Sequence, residues 1–239
     1  FRADARLNEL IRQAGARDAR MRLVDFDRLI RAASPQGLPG ETFFVDHVHL
    51  NFAGNYRLAR AVLDQMEPDL GPPAGTAPDE EVCRRRLAFT PWDQHAEADH
   101  MYQRLLRPPF SRQVYHEETM RALRDRLGLL RKALTAGTRA TCVDMYRDAL
   151  SERPGDWALR RQMGLLLLEQ EGGAARALPE FQAVADALPH LDAPRYACAR
   201  VWAELGRLDE VWQVLRSIRT PTAERAHAIH QIGFELAQV

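Results

Sequence analysis

An acidic residue and two histidines stand together in the segment Asp46-His47-Val48-His49. An aspartate three residues before a histidine can accept a hydrogen bond from the Nδ1–H group of the imidazole and so fix the orientation of the ring. The ring is then placed to act as a general base toward a nucleophile. The spacing therefore makes Asp46 and His49 candidates for the acid–base part of a catalytic site.

Two other interpretations of these residues remain open. His47 and His49 alternate like residues on one face of a strand, so together with Asp46 they could bind a metal ion. No further Cys, His or Glu stands close by in the sequence, and we predict neither a metal nor any other cofactor. In the purely structural interpretation, Asp46 caps the segment that follows it and His49 fills a polar pocket.

Two further groups of histidines and acids offer weaker candidates. The first lies in a predicted helix, and its members are Asp93, His95, Glu97, Asp99 and His100. His95 and Asp99 are four residues apart and share a helical face, which is typical of a charged face in contact with solvent. The predicted buried side of this helix consists of Trp92, Met101, Tyr102, Leu105 and Leu106. Near the end of the chain, His227 and His230 are predicted as exposed residues.

Composition excludes several classes of function. The 239 residues include 33 basic and 33 acidic side chains, so the formal net charge is zero. This balance argues against electrostatic binding to nucleic acids or to an anionic membrane. No apolar stretch approaches the roughly 20 residues of a membrane span. The three cysteines, Cys83, Cys142 and Cys198, are widely spaced, and we predict buried reduced thiols.

Residues 1–66 have the pattern of a small α/β segment. An apolar helical stripe over residues 3–14 is followed by Met21–Phe26, a short apolar run that predicts a buried strand. A second helix is predicted from about Asn55 to Met66. The Pro/Gly-rich residues 67–80 predict a linker at a domain boundary.

The segment from Asp46 to Gly54 resembles the last conserved block of the SGNH/GDSL hydrolases. The resemblance rests on Asp-x-x-His, the Asn-x-x-Gly that follows it and the helix after that. It covers residues 1–66 and implies the end of an α/β/α fold. It also implies the roles of the pair in a serine esterase or acyl hydrolase, with Asp46 orienting the base and His49 acting as the base.

The chain departs from this family in one respect that decides its activity. It contains no Gly-Asp-Ser nucleophile block. Its serines, Ser34, Ser111, Ser151 and Ser217, have different surroundings. The resemblance therefore places the nucleophile upstream of Phe1, and we expect the present chain to be a fragment that is inactive as an esterase, because the oxyanion donors are missing too.

A spacing of 34 or 35 residues recurs in the C-terminal part of the chain. Ala177, Phe181 and Val184 are followed 34 residues later by Val211, Leu215 and Ile218. One step earlier, Tyr146, Ala149 and Pro154 precede Phe181, Val184 and Pro189 by 35 residues. A fixed period of this length predicts stacked pairs of helices.

These repeats resemble the tetratricopeptide repeat (TPR). We align three copies over residues 123–156, 157–191 and 192–225, the second with an additional residue near Gly172 and Gly173. Gly137 and Gly206 are predicted at the turns, with Gly164 and Ala199 as small packing residues. A helical connector over 81–122 precedes the repeats and a capping helix over 226–239 follows them. The predicted fold is thus mainly α, a TPR-like α-α superhelix after a small α/β piece.

The repeats predict a protein-interaction module, since such stacks present a concave surface to other proteins. The side chains predicted to line a peptide-binding groove are those of the first helices that do not pack: Arg160, Arg161, Leu167, Tyr196, Arg200 and Glu204. Arginines there could clamp a carboxylate of a bound peptide. A homodimer is also predicted, because an incomplete sheet would expose an unpaired edge.

Overall fold

The computed structural model describes residues 5–18, 20–46, 48–71 and 75–217, together with Ala226, His230 and Gly233. Regular structure in this part of the chain is helical, which confirms the prediction of a mainly α protein. The β-structure found there is one isolated antiparallel bridge between Phe44 and Leu50.

The chain divides into two compact units. The first comprises residues 1–86 and 93–131, and the second comprises residues 87–92 and 132–239. The helices that begin in the first 90 residues are α1 (Ala5–Arg17), α2 (Phe26–Ala32), α3 (Phe52–Leu70) and α4 (Glu80–Arg86). They are followed by α5 (Pro91–Leu105) and α6 (His116–Ala133).

Ion pairs rather than apolar burial connect α1 to the start of α2. The Arg12 guanidinium donates to Asp25 from Nε at 2.7 Å and from Nη2 at 3.3 Å, and Nη2 also reaches Asp27 at 3.1 Å. Asp25 is the N-cap of α2 and accepts from the backbone N–H of Arg28. The apolar stripe of α1 remains exposed, with Leu7, Leu10 and Ile11 at 52%, 55% and 48%.

The prediction of a buried strand over Met21–Phe26 is wrong. Residues 21–25 form no ladder within the described part of the chain, and Phe26 is already the first residue of α2. A strand is stabilised by hydrogen bonds to a neighbouring strand, and the described residues offer none to this segment. The capping carboxylate of Asp25 instead begins a helix one residue later.

Helix α3 is longer than predicted and begins earlier. Asn51 caps it, and the helix continues through Pro68 to Leu70. Two of its large apolar side chains are exposed, Val62 at 39% and Met66 at 46%. The predicted linker, residues 67–80, lies inside the first unit rather than at the division between the two units.

Between residues 132 and 217 the second unit contains five helices in sequence, each of which packs against the next. They are α7 (Ala136–Glu152), α8 (Trp157–Leu168), α9 (Gly173–Ala187), α10 (Ala193–Glu204) and α11 (Leu208–Ser217). Pro154 and Pro189 each stand two residues beyond the end of a helix, where a residue without a backbone N–H cannot continue the helical ladder.

The burial predicted for the repeating positions is confirmed. Three helices present buried residues at the same intervals of four and three: Cys142, Tyr146 and Ala149 on α7, Ala177, Phe181 and Val184 on α9, and Val211 and Leu215 on α11. Ile218, the last member of the series, lies outside the described residues. At Gly164 a Cβ atom would stand 3.0 Å from the Phe181 ring, so glycine permits the close approach of α8 and α9.

Gly137 and Gly206 are predicted at turns, and the structure agrees with this prediction at Gly206 but not at Gly137. Gly206 has a φ of 69° between α10 and α11, and Gly172 has a φ of 63° between α8 and α9, where the connection is one residue longer. L-residues disfavour such φ values, so glycine suits both turns. Gly137 is not at a turn, because Thr135 caps α7 and accepts from Thr138 N–H at 3.2 Å.

The first predicted repeat, residues 123–156, does not form one compact pair. Its residues 123–131 belong to the first unit, in which Leu123 and Met120 of α6 pack with Met101 and Leu105 of α5. Its remaining residues belong to the second unit. The end of the third repeat and the predicted capping helix over 226–239 lie almost entirely outside the described residues.

Candidate functional site

The loop before α3 holds the Asp46–His49 pair in a tight bend. The backbone N–H of Val45 donates to the His49 carbonyl at 2.9 Å, and that of Asn51 donates to the Phe43 carbonyl at 3.0 Å. These two hydrogen bonds flank the bridge between Phe44 and Leu50. The intervening residues are therefore forced into a short turn that brings both ends of the Asp-x-x-His segment together.

Asn51 and Gly54 attach this bend to the start of α3. The Asn51 side chain accepts from Gly54 N–H at 3.0 Å and donates to the carbonyls of Glu41 and Thr42 at 2.9 and 3.1 Å. A Cβ atom on Gly54 would stand only 2.3 Å from the Phe43 carbonyl oxygen. Glycine at this position thus lets the helix begin directly against the bend.

Asp46 is hydrogen-bonded on both carboxylate oxygens. Oδ2 lies 2.8 Å from Nδ1 of His49, the contact that the spacing predicts. Oδ1 accepts from the backbone N–H groups of Val48 at 2.7 Å and of His49 at 2.6 Å. The Asp46 side chain is 4% exposed and that of His49 is 42% exposed. A buried carboxylate therefore orients a ring that solvent can reach.

The surroundings of Asp46 have opposing effects on its ionisation. Burial alone would raise the pKa of Asp46, but the two backbone N–H groups and the His49 ring hold that pKa below its ordinary value. The carboxylate is consequently ionised at neutral pH. An ionised partner on Nδ1 stabilises a protonated imidazole, which is the state that a general base reaches after it accepts a proton.

We predict that Asp46 makes folding stability depend on acid pH. Because its folded pKa is lowered, Asp46 stabilises the fold above its unfolded pKa of about 4, and this contribution is lost as the pH falls through the folded pKa. The difference in unfolding free energy between wild type and Asp46→Asn should be about 1.5–3 kcal/mol at pH 7. Urea unfolding between pH 7 and pH 2.5 measures this difference.

The control for this measurement is Asp69→Asn, which removes a carboxylate that is 70% exposed. A difference between wild type and Asp46→Asn that persists undiminished at the lowest pH would contradict the prediction.

The alternative interpretations fare differently. The purely structural interpretation agrees with the structure at Asp46, whose carboxylate accepts from the backbone N–H groups of Val48 and His49. It does not agree at His49, whose side chain is 42% exposed and so does not fill a closed pocket. His47, which the metal interpretation requires, lies outside the described residues. Within the described ranges no three His, Cys, Asp or Glu side chains are grouped as metal ligands would be.

The group of acids and histidines between Asp93 and His100 does not form a uniformly solvated face. Asp93 is buried at 9% exposure, whereas Asp99 and His100 are exposed. Burial raises the pKa of Glu97 above its ordinary value; Arg126 opposes this shift and Asp93 adds to it. The predicted buried side holds for Trp92, Met101 and Leu105, and fails at Leu106, which is 49% exposed. His230 is exposed as predicted, and His227 lies outside the described residues.

The structure places the predicted groove residues in three different settings. Leu167 and Tyr196 are 4% and 6% exposed, so the prediction that they do not pack is wrong. Tyr196 packs in a core cluster with Ala199, Ala203, Val211 and Leu215. Arg160 donates to Glu180 at 2.9 Å. Arg161 and Glu204 are exposed and Arg200 is half-buried.

A cleft of about 740 Å³ in the second unit was not predicted from the sequence. It is lined from three helices by Gln182 and Asp186 of α9, Arg195, Cys198 and Trp202 of α10, and Gln213 of α11. The indole Nε1 of Trp202 is buried and has no hydrogen-bond acceptor among the described residues. A buried donor without a partner is costly, so an acceptor that reached this group would stabilise the protein.

Cys198 contributes a thiol to the lining of this cleft. Burial, assisted by the negative charge of Asp186, raises the pKa of Cys198 to about 11. The thiol is therefore in its protonated form at neutral pH. Cys142 and Cys198 are buried free thiols as predicted, and Cys83 is half-buried.

Comparison with known proteins gives no relative: no family model, no curated protein and no solved structure matches the chain. In the described part, none of the helices has the length and apolar character needed to cross a membrane. The function must therefore be argued from the geometry of the two units.

Proposed function

We propose that the second unit is a protein-interaction module that binds a peptide segment of another protein. The resemblance of its repeats to the TPR supports this function, since stacked helical pairs expose extended binding surfaces. The sequential packing of α7 to α11 and the burial of the repeating positions agree with such a stack.

The single observation that carries the proposal is the buried indole N–H of Trp202, which has no hydrogen-bond partner among the described residues and belongs to a residue that lines the cleft between α9, α10 and α11. A peptide carbonyl supplies the acceptor that this donor lacks. Gln182 and Gln213 can both donate and accept, and Asp186 accepts. This combination matches the alternating donors and acceptors of a peptide main chain.

Charged residues on the first helices are a second part of the proposal. Arg161, Arg200 and Glu204 carry the charges that were predicted to line a groove, and a guanidinium pairs well with a carboxylate of a bound peptide. We propose that these residues contribute to the choice of peptide, while the cleft at Trp202 supplies the main-chain contact.

A random peptide library displayed on phage tests this function. Peptides selected on the wild-type chain should lose about tenfold in affinity for Trp202→Phe, because the variant keeps an aromatic ring and removes the donor. Trp212→Phe is the matched control, since Trp212 lies on α11 and is 54% exposed. Equal affinity for wild type and Trp202→Phe, or failure to select any peptide, would contradict the proposal.

A second candidate function belongs to the first unit and is favoured by the 2.8 Å contact between His49 Nδ1 and Asp46 Oδ2. We propose that this pair is the acid–base part of an SGNH/GDSL-type esterase site, with His49 as the base and Asp46 orienting it. The nucleophilic serine and the oxyanion donors would come from residues that precede this sequence, together with the remaining part of an α/β sheet.

Ester hydrolysis by this chain and by a longer version tests the second candidate. The chain as given should hydrolyse p-nitrophenyl acetate no faster than its His49→Ala variant. A version extended upstream to include a Gly-Asp-Ser block should hydrolyse the ester and lose at least a hundredfold in kcat in His49→Ala. If the extended protein hydrolyses the ester equally fast with and without His49→Ala, the second candidate function is contradicted.

A further inference from the structure

A second cleft, separate from the Asp46–His49 pair, lies within the first unit between α2 and α3. Its volume is about 600 Å³, within the range of about 300–1,000 Å³ that small-molecule sites occupy. Its apolar lining comes from the segment before α2 and from the facing sides of both helices: Leu23, Val24, Phe26, Leu29, Ile30 and Ala61. Such a lining favours a hydrocarbon ligand.

In the part of the chain that the structure describes, the acidic residues that line this cleft all take part in ion pairs, whereas one of its arginines does not. The acids are already neutralised: Asp25 pairs with Arg12 and Arg28, Asp64 with Arg60, and Glu80 with Arg84. Arg57 also lines the cleft, but among the described residues it makes no ion pair. Its guanidinium instead lies 5.0 Å from the centre of the Phe43 ring. Within the described part of the chain, one cation of the cleft, Arg57, therefore has no counter-charge.

Arg60 adds an unsatisfied donor to the same wall. Its Nη2 donates to Asp64 at 2.7 Å. Its Nη1 is buried and has no hydrogen-bond partner in the described part of the chain. Arg57 and Arg60 are three residues apart on α3 and so lie on neighbouring positions of one helical face. An anionic oxygen could accept from both.

We infer that this cleft binds an aliphatic carboxylate of medium chain length, with the hydrocarbon on the apolar lining and the carboxylate at Arg57 and Arg60. Apolar burial supplies affinity that grows with chain length, and a charge-assisted hydrogen bond supplies the preference for an acid. The residues of this site differ from those of the peptide cleft and from the Asp46–His49 pair. A test of this site can therefore fail or succeed whatever the outcome for the two proposed functions.

Calorimetric titration of the whole chain with decanoate, kept below its micelle concentration, tests the inference. We expect decanoate to bind at least tenfold more tightly than decan-1-ol. Octanoate, which has two methylene groups fewer, should bind roughly fifteenfold more weakly than decanoate. Arg57→Gln should lower the affinity for decanoate about tenfold and leave the affinity for decan-1-ol unchanged.

Arg31→Gln is the matched control, because Arg31 is a cation of α2 that pairs with Asp27 and does not line the cleft. Ala61→Phe fills the cleft without altering its charges and should abolish binding of decanoate. Equal binding of decanoate and decan-1-ol, an equal loss in Arg31→Gln, or full binding to Ala61→Phe would each overturn the inference. A thermal melt by circular dichroism establishes that the variants are folded.

Discussion

Substitution of Gly173 by alanine is expected to destabilise the second unit on the order of 3 kcal/mol or more. A Cβ atom on Gly173 would stand 1.7 Å from the carbonyl oxygen of Leu167 and 2.8 Å from its carbonyl carbon. These are backbone atoms that end α8, so the clash cannot be relieved by a change of rotamer, and the turn between α8 and α9 must open. All four tryptophans lie in the second unit, so urea unfolding followed by tryptophan fluorescence measures its stability.

Two other glycines of the same unit provide graded controls. Gly137→Ala meets nothing closer than the Thr135 hydroxyl at 3.8 Å and should change stability by less than about 1 kcal/mol, in the stabilising direction. Gly164→Ala would meet the Phe181 ring at 3.0 Å, a side chain that can shift slightly, and should have an intermediate cost. A Gly173→Ala protein as stable as Gly137→Ala would contradict the described turn.

The second large effect is expected for Gly54→Ala. This substitution places a methyl group where the bend that holds the Asp46–His49 pair contacts the start of α3. The new methyl group would stand 2.3 Å from the Phe43 carbonyl oxygen and 2.9 Å from a methyl carbon of Leu50. We expect a loss of about 2–3 kcal/mol in unfolding free energy, because the bend and the start of α3 must separate. Far-UV circular dichroism during urea unfolding measures it.

Hydrogen exchange connects this loss to the site. The backbone N–H groups of Val48 and His49 donate to Asp46, so they should exchange faster in Gly54→Ala than in the wild type. Gly128→Ala is the control in the same unit, since this glycine of α6 has open space around it and should become slightly more stable as alanine. Unchanged exchange at Val48 and His49 in Gly54→Ala would show that the bend does not depend on Gly54.

The helical core of the second unit could be predicted because its signals are local and repeated. Tyr146, Phe181 and Leu215 are buried at equivalent positions of α7, α9 and α11, every second helix of the unit. A period shared by several segments is less sensitive to an error in any one of them. The faces of α8 and α10 were harder to assign. Leu167 and Tyr196 were predicted to be exposed, because a rotation of about 100° per residue turns a small register error into a change of face.

The first unit could be predicted less well because its structure depends on contacts distant in sequence. The run Met21–Phe26 has the composition of a strand, but a strand also needs a partner, which composition does not reveal. The Asp46–His49 contact was predictable because both residues lie within one short bend. The clefts were not, since each gathers side chains from segments whose packing the sequence pattern does not specify.

The most direct test of the central claim is the indole ¹⁵N–¹H NMR signal of Trp202, recorded while a peptide selected on the wild-type chain is added. If the cleft between α9, α10 and α11 takes a peptide carbonyl, the Nε1–H signal of Trp202 should shift downfield and exchange more slowly with water. The signal of Trp212 should stay in place. Saturation of the protein with peptide while the Trp202 signal remains unchanged would contradict the claim.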